Sequence, residues 1–576
     1  MTSIVDDDDD EELKLAISLS LQEHEAREIV NLDSDEENAP TKHNYQNTIP
    51  NSQCNFLGID RKKMEQERLA RKRKASEPDS PSRKVHKICS PPESKQPLQS
   101  SQAYSSEISE VSATEKPSGD GTAGDFLKAA VKKTWAFGHA RDGNDIKLEE
   151  VLKRNDLQLA VLSSFQWDIG WLLAKINTTK TQITLAMQAK DQAIKDQYRS
   201  ETADMQNLRL CFPSMEGQVN CMHSKLMLLS YPQYLRVVVP TANLVPYDWG
   251  ESGDMENGVF LVDLPRQPPG KRTEIHHLTE FGKELVYFCK AMGLESSIVE
   301  SISNFDFTNT KNLAFVHTIG GAHIGESWRR TGYCGLGKAV QQVGLKTDAA
   351  LEMGFVTSSV GSLTVDFLTV LYLAAQGDDG TKEYYWRNPH PSKSKSRKPK
   401  TDMKQVEDSQ QRTKDEVLNN FRIYFPTHDT VKASTAGYAG TICFQPKWYN
   451  SPTFPRQVMR DCRSIRTGLL MHNKIIYVRS KEIYPGDIEA DHKAWAYIGS
   501  ANCSESAWGK LTKDRATKAP KLNCRNWECG VLFPVPASGT DKGGIDLGVF
   551  RGSVPVPMQY PGQPYGDSKP WYYSEQ

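Results

Sequence analysis

Two short stretches far apart in the chain constrain its fold more than any composition figure. The first, CMHSKLMLLSYPQYLRVVVPTAN (221–243), carries His223 and Lys225, then two apolar runs, and closes on Asn243. The second, MHNKIIYV, carries His472 and Lys474, and AYIGSAN closes on Asn502. Side chains at i and i+2 of a strand point to one face, so each His-x-Lys sets an imidazole beside an ammonium. A further echo follows each Asn: ENGVFLVDLP (256–265) and NWECGVLFPVP (526–536). One His-x-Lys in a chain with 13 His is a chance event. Two, each followed by the same sequence of strands, mark an internal duplication. Two solvated surface strands are the bland alternative.

Facing half-sites would place two His, two Lys and two Asn around one point. That set suits phosphodiester cleavage without a metal or cofactor. One imidazole attacks phosphorus and forms a phosphohistidine; the other protonates the leaving oxygen and then activates water. The Lys and Asn side chains hold the non-bridging oxygens, whose charge changes in the transition state. A metal site would need more clustered carboxylates. The 11 Cys of the 576 residues show no zinc-like spacing. They are scattered as reduced thiols of an intracellular protein would be. No stretch resembles a signal peptide or a membrane span, so no membrane partner is expected. The net charge of -1 predicts no partner, but its distribution is uneven.

Residues 1–123 are rich in Ser, Pro, Asp, Glu and Lys, with few aromatics, and read as a disordered tail. Within it, 6–26 (DDDDDEELKLAISLSLQEHEA) places Leu13, Ala16, Ile17 and Ser20 at helical spacing behind an acidic run, and resembles a ubiquitin-interacting motif. Residues 29–37 join Ile29-Val30-Asn31-Leu32 to DSDEE and resemble a SUMO-interacting motif, a strand-adding tetrad with an acidic flank. Basic clusters over 61–84 read as a nuclear localisation signal or a nucleic-acid-binding arm; both point to the nucleus. From 124 onward strands and helices alternate, which predicts layered α/β structure. A first half spans 124–342, with LAFVHTIGG (313–321) as its last core strand, and a second half spans 343–576. The second half opens on a strand, a turn with Ser358, Ser359, Gly361 and Ser362, and an apolar helix; this is either an anion site or simple helix capping. Residues 377–416 turn polar, with net +5 over 392–404, and read as a disordered basic insertion.

The whole pattern resembles the phospholipase D superfamily, whose usual form is His-x-Lys-x4-Asp. Here Ser230 and Arg479 stand at the Asp positions, and Asn243 and Asn502 lie downstream. That departure resembles the type 1 tyrosyl-DNA phosphodiesterase branch. LRVVVPTANLVPYDW, TSSVGSL, IGSANCSESAWG, NWECGVLF and the late Lys-Pro-Trp agree with it, over roughly 124–575. The resemblance implies an α/β fold of two similar α-β-α sandwich domains related by a pseudo-two-fold axis, with a monomer sufficient for the site. It implies hydrolysis of the 3′-phosphotyrosyl bond between DNA and a stalled topoisomerase I, or of other 3′ blocks, leaving a 3′-phosphate. His223 is then the nucleophile and His472 the general acid and base. Lys225, Lys474, Asn243 and Asn502 bind the scissile phosphate, and Glu528 orients an imidazole. Ser358, Ser359 and Ser504 bind DNA phosphate. The first half's orienting amide should precede Gly258; Asn257 holds that place while Glu256 aligns with Glu528 in the repeat, and the choice between them stays open. Partners would be DNA, a topoisomerase-derived peptide, and ubiquitin and SUMO through the tail. A phospholipase acting on lipid head groups and a non-catalytic ubiquitin- and SUMO-reading scaffold are the alternatives.

Overall fold

Runs of aliphatic and β-branched residues build two mixed sheets. The computed structural model describes residues 124–388, 400–437, 441–480, 492–536 and 547–573. The tail motifs, the basic run 389–399 and the 481–491 connection lie outside the described residues.

The first half contributes β1 (Ala130–Thr134), β2 (Asp145–Ile146), β3 (Leu159–Ser163), β4 (Gln182–Ala186), β5 (Leu208–Cys211), β6 (Cys221–Met222), β7 (Leu226–Ser230), β8 (Tyr234–Pro240), β9 (Met255–Glu256) and β10 (Gly258–Pro265). Then come β11 (Ala314–Thr318), β12 (Gly321–His323), β13 (Leu351–Val356), β14 (Phe421–Tyr424), β15 (Met459–Arg460), β16 (Leu470–Met471), β17 (Ile475–Ser480), β18 (His492–Gly499), β19 (Lys510–Lys513), β20 (Pro520–Cys524) and β21 (Asn526–Pro536). The first sheet runs β2-β1-β10-β8-β7-β3-β4-β5, the second β11-β21-β18-β17-β13-β14-β15. With β2 set aside, the two orders correspond strand for strand. So do the pairing senses: four antiparallel contacts, then two parallel ones. The duplication predicted from the His-x-Lys echo is therefore a duplication of the whole sheet.

The sheets face each other across a shared core. Val237 and Val239 of β8 and Leu226 and Leu228 of β7 meet Ile475 and Tyr477 of β17 and Ile498 of β18. The intervening Val238, Met227 and Leu229 point to the first half's outer layer, and Ile476 and Val478 to the second's. Strands buried on both faces read as continuous apolar runs, which is why these segments do not alternate with polar residues.

Two expectations are corrected. The strand at 314–318 does not end the first half. As β11 it pairs with β21 and forms the edge of the second sheet, the counterpart of β1 beside β10. The helix Gly332–Gln342 packs its Tyr333, Leu336 and Val340 into the second half's core as well. The second repeat therefore begins near 314 rather than 343; a fully buried AFVHT carries no mark of which sheet it joins. The segment 377–416 contains the helix Thr381–Arg387 and most of the helix Lys400–Asn420. The longer one is pinned by Thr413 and Val417, one turn apart and buried, and by the Lys414–Asp366 ion pair at 2.6 Å. Its stripe is too narrow to show in the polar composition around it.

Candidate active site

The dipeptide strands just before the two His form short parallel ladders with the opposite half. β6 pairs with β21, and β16 pairs with β9. The His223 amide donates to the Trp527 carbonyl at 3.0 Å, and the His472 amide to the Glu256 carbonyl at 3.1 Å. Each imidazole is thus delivered to the seam between the sheets by the half that does not contain it. Two residues on, Lys225 and Lys474 enter β7 and β17, both fully buried. Lys225 Nζ donates to the His223 carbonyl at 3.1 Å and lies 3.4 Å from His223 Nε2. Lys474 Nζ donates to the His472 carbonyl at 2.6 Å. His223, His472, Asn243 and Asn502 line one cleft of about 640 Å³.

The imidazoles are steadied from behind by carboxylates. His223 Nδ1 lies 2.8 Å from Glu528 Oε2, in hydrogen-bonding alignment. Glu528 also accepts from Ser500 Oγ and, at 3.0 Å, from Asn526 Nδ2. On the other side Asp248 Oδ2 stands 3.1 Å from His472 Nδ1, at ion-pair distance but off the line of a hydrogen bond. The same oxygen accepts from the Asn243 amide at 2.6 Å.

Neither Glu256 nor Asn257 faces an imidazole, so neither side of the open choice holds. The register explains it. Met222, before His223, sits opposite Trp527, whereas Met471, before His472, sits opposite Glu256. Trp527 corresponds to Met255 in the repeat, so the first-half strand is displaced by one residue. A one-residue shift turns a strand side chain to the other face. Glu256 accordingly turns away and binds Ser464 Oγ and, at 2.8 Å, Arg466 Nε. Asn257 stands in Glu528's register, yet its Nδ2 donates to the Asp248 carbonyl at 2.8 Å and its Oδ1 accepts from Thr241 Oγ1 at 2.7 Å. It braces the backbone of the aspartate that reaches His472. Arg466 is in turn committed to Glu256.

The two Asn are fixed differently. Asn502 Oδ1 accepts from Thr357 Oγ1 (3.0 Å), the Ser358 amide and hydroxyl (3.3 and 3.2 Å) and the Ser359 amide (3.1 Å). This turns its Nδ2 away from those donors. Asn243 is held by Gln166: its Oδ1 accepts from the Gln166 amide at 3.3 Å and its Nδ2 donates to Gln166 Oε1 at 3.1 Å. Ser358, Ser359 and Ser504 line the cleft. Asp248 and Gln166 were missed by sequence reasoning. The signal for Asp248 was its place five residues after Asn243; nothing local marks Gln166. The late Trp571 is a buried anchor whose ring stacks on His428, and neither it nor Tyr573 lines this cleft.

Burial sets the protonation of the site. It pushes His223 down to about 4, against the pull of Glu528 and with the push of Lys225. It pushes His472 down to about 4 as well, against Asp248 and with Lys474. Burial also lowers both lysines, and the field of Lys225 drives Lys474 well below its ordinary range. Asp248 is raised by burial but more strongly lowered by His472 and Lys474, so it stays ionised. Both imidazoles are thus held towards their neutral form, and both lysines lose part of their usual hold on a proton. An arriving phosphate anion reverses both tendencies, because it stabilises every positive charge facing it.

A protein-family model described as tyrosyl-DNA phosphodiesterase matches residues 130–566, and one for the ubiquitin interaction motif matches residues 8–24. The chain is 24% identical over 466 residues to tyrosyl-DNA phosphodiesterase 1 of Drosophila melanogaster, covering 74% of this chain and 70% of the relative. It is 23% identical over 478 residues to tyrosyl-DNA phosphodiesterase 1 of Arabidopsis thaliana, covering 74% and 71%. The fold is similar to the crystal structure of the yeast tyrosyl-DNA phosphodiesterase, with a TM-score of 0.51 and 17% identity, over 77% of this chain and 100% of the yeast chain.

Proposed function

The chain belongs to the tyrosyl-DNA phosphodiesterase family, and from that membership we propose that its cleft cleaves a 3′-phosphotyrosyl bond through a covalent intermediate on His223. The enzyme is a DNA-repair phosphodiesterase; the roles of its residues are our assignment. The observation that carries it is the pair of imidazoles in one cleft, each backed at Nδ1 by a carboxylate of the opposite half. That turns both Nε2 atoms away from the carboxylates, with Lys225 Nζ 3.4 Å from the Nε2 of His223.

The proposed steps use this geometry. Neutral His223 attacks phosphorus with Nε2, forming an N–P bond as the P–O bond to tyrosine breaks. His472, protonated once the phosphate is bound, gives its proton to the departing phenolate oxygen. Now neutral, His472 takes a proton from water, whose oxygen displaces His223 and leaves a DNA 3′-phosphate. Lys225, Lys474 and the free amide hydrogens of Asn243 and Asn502 hold the non-bridging oxygens through both transfers. Glu528 and Asp248 hold the rings in position and favour their cationic forms. Ser358, Ser359 and Ser504 receive the backbone of the DNA strand, and the peptide leaves on the other side of the scissile bond.

The decisive test is a single-stranded oligonucleotide with a 3′-phosphotyrosine, incubated in EDTA. Release of tyrosine with a 3′-phosphate end supports the reading, and no release by protein that binds the DNA would overturn it. The same assay on His223→Ala decides against the scaffold alternative, which predicts no role for that ring. The tail carries a ubiquitin interaction motif; with the SUMO-type tetrad and the basic clusters it brings the enzyme to modified topoisomerase adducts in the nucleus. Weak modules in tandem gain from effective concentration. Deletion of residues 1–40 should reduce recruitment to trapped adducts in cells, and undiminished recruitment would sink this role.

A further inference from the structure

The two residues whose carbonyls receive the histidine amides are opposites. Trp527, which receives the His223 amide, is apolar, and its indole Nε1 donates to the Ser214 carbonyl at 2.9 Å. Glu256, which receives the His472 amide, carries a carboxylate and is 1% exposed. A charge at that depth needs partners, and losing one of them is strongly destabilising. Ser464 Oγ donates to Glu256 Oε1. Arg466 gives Oε2 two bonds, from Nε at 2.8 Å and from Nη2. The same Nη2 donates to the Thr134 carbonyl at 3.0 Å. The Arg466 amide donates to Ser464 Oγ at 3.0 Å, which fixes the two partners relative to each other.

This set ties together three pieces of backbone: Thr134 at the end of β1, Glu256 in β9, and the 464–466 segment that leads into β16 and His472. The β9–β16 ladder needs such a tie. It consists of two residue pairs, Met255 with Leu470 and Glu256 with Met471, which are too few to specify a register by themselves. A slip of one residue would turn the Glu256 side chain to the other face of its strand. The carboxylate would then leave Arg466 and Ser464 while both charges stayed buried. The ion pair therefore favours one register over its neighbours, the best-attested use of a buried charge. Glu256 and Arg466 line a separate cavity of about 560 Å³ rather than the active-site cleft. Their influence on the reaction has to pass through His472.

We propose that the Glu256–Arg466 pair is a register lock that positions His472. It holds β9 one residue out of step with its counterpart in β21, seats the His472 amide on the Glu256 carbonyl and keeps the Glu256 carboxylate off the ring. Asp248 serves the ring in its place. The same register carries Asn257, whose amide donates to Thr134 Oγ1 at 3.0 Å and whose Nδ2 braces the Asp248 carbonyl. The lock thus sets the ring and its carboxylate together. This rests on His472 being the acid and base of the proposed reaction.

The test compares single-turnover rates on oligonucleotides ending in a 3′-phosphotyrosine and in a 3′-(4-nitrophenyl) phosphate, whose phenolate departs without a proton. Arg466→Met should slow tyrosine release about tenfold, a part of the roughly 10²–10⁴ that proton transfer supplies, and 4-nitrophenolate release less than about twofold. The protein concentration giving half the maximal rate should stay the same for both. Arg466→Lys keeps the charge and should recover most of the lost rate. Glu256→Met with Arg466→Met removes both charges; it should melt close to the wild type yet stay slow with tyrosine, because stability returns and the register does not. Equal slowing of both leaving groups, no recovery in Arg466→Lys, or a wild-type rate in the double variant would overturn the lock. Should Arg466→Met fail to fold, the double variant decides by the same contrast of leaving groups. His472→Ala slowing both leaving groups alike would overturn the acid–base reading itself. Leaving-group sensitivity in His472→Ala with none in Arg466→Met would overturn the lock alone.

Discussion

The two half-sites are built alike up to the imidazole and differently behind it. Both His follow a dipeptide strand paired in parallel with the other half, and both lysines donate to the carbonyl of their own His. Behind His223 the carboxylate lies on a strand, two residues before Gly530, and makes an aligned hydrogen bond. Behind His472 the strand carboxylate has turned away, and Asp248 arrives from the short 3₁₀ turn after Asn243 instead, off line. Duplication preserved the strand scaffold, and a one-residue displacement of β9 changed which side chain could serve it. The difference suits the proposed roles. A nucleophile benefits from a ring held in one direction, whereas a group that first donates and then accepts a proton needs a nearby charge more than a rigid bond.

The comparison can be broken most severely at the rings. His223→Ala should abolish tyrosine release. His472→Ala should slow turnover by about 10²–10⁴, the usual worth of general acid–base catalysis, and accumulate a protein–DNA adduct on His223. Gel analysis with labelled DNA, under alkaline conditions that spare a phosphoramidate, would reveal it; no adduct in His472→Ala, or an adduct in His223→Ala, would show the roles are misassigned.

The carboxylates give the next largest effect and the sharpest contrast. Asp248→Asn should lower kcat about a hundredfold with a tyrosyl leaving group and far less with 4-nitrophenol, which departs without a proton. Removing this anion makes imidazolium less stable, so the alkaline limb of kcat should move to lower pH. Glu528→Gln should slow both substrates equally. If the two variants respond identically to the leaving group, the proposed asymmetry fails.

Acid should weaken the fold through both rings. Their proton affinity is depressed from about 6.5 to about 4 on folding. The unfolded chain therefore binds more protons in that interval, and stability is lost as pH falls from 6.5 towards 4. At about 1.4 kcal/mol per tenfold change, roughly 3 kcal/mol per ring is the ceiling. Thermal melting from about pH 4 to about pH 6.5 should show the wild type losing stability, as pH falls, relative to a variant with both rings replaced by Gln, the difference levelling off above about pH 6.5. A constant difference would contradict buried neutral imidazoles.

The smallest effect separates the two asparagines. Gln166→Ala removes the side-chain partner of Asn243 and should raise KM about fivefold, the worth of one hydrogen bond of about 1 kcal/mol. Ser358→Ala removes one of four donors to Asn502 and should change KM less. The reverse order would mean that the Asn243 clamp is not the weaker one.

How much of this was legible in the chain depends on the distance over which each feature is decided. His223, Lys225, His472 and Lys474 were visible because an i, i+2 pair on an apolar run is a local signal. Glu528 was visible through resemblance. Asp248 was not, because its role depends on whether Glu256 or Asn257 falls opposite His472, a register set across 215 residues. The strand at 314–318 was assigned to the wrong half for the same reason: buried strands state their depth, not their neighbours. The helix at 400–420 was hidden by polar composition, since among its described side chains only Thr413 and Val417 are buried.

The His223–Glu528 contact joins residues 305 positions apart, and the β6–β21 ladder closes over the same span. During synthesis the first sheet emerges from the ribosome with its histidine already in sequence, but without the strand that places it. His223 has no seat until β21 has left the exit tunnel and the second sheet has docked. A nascent or truncated chain that lacks β21 is therefore disarmed by construction, and the capacity to cut phosphodiesters arrives only with the second sheet.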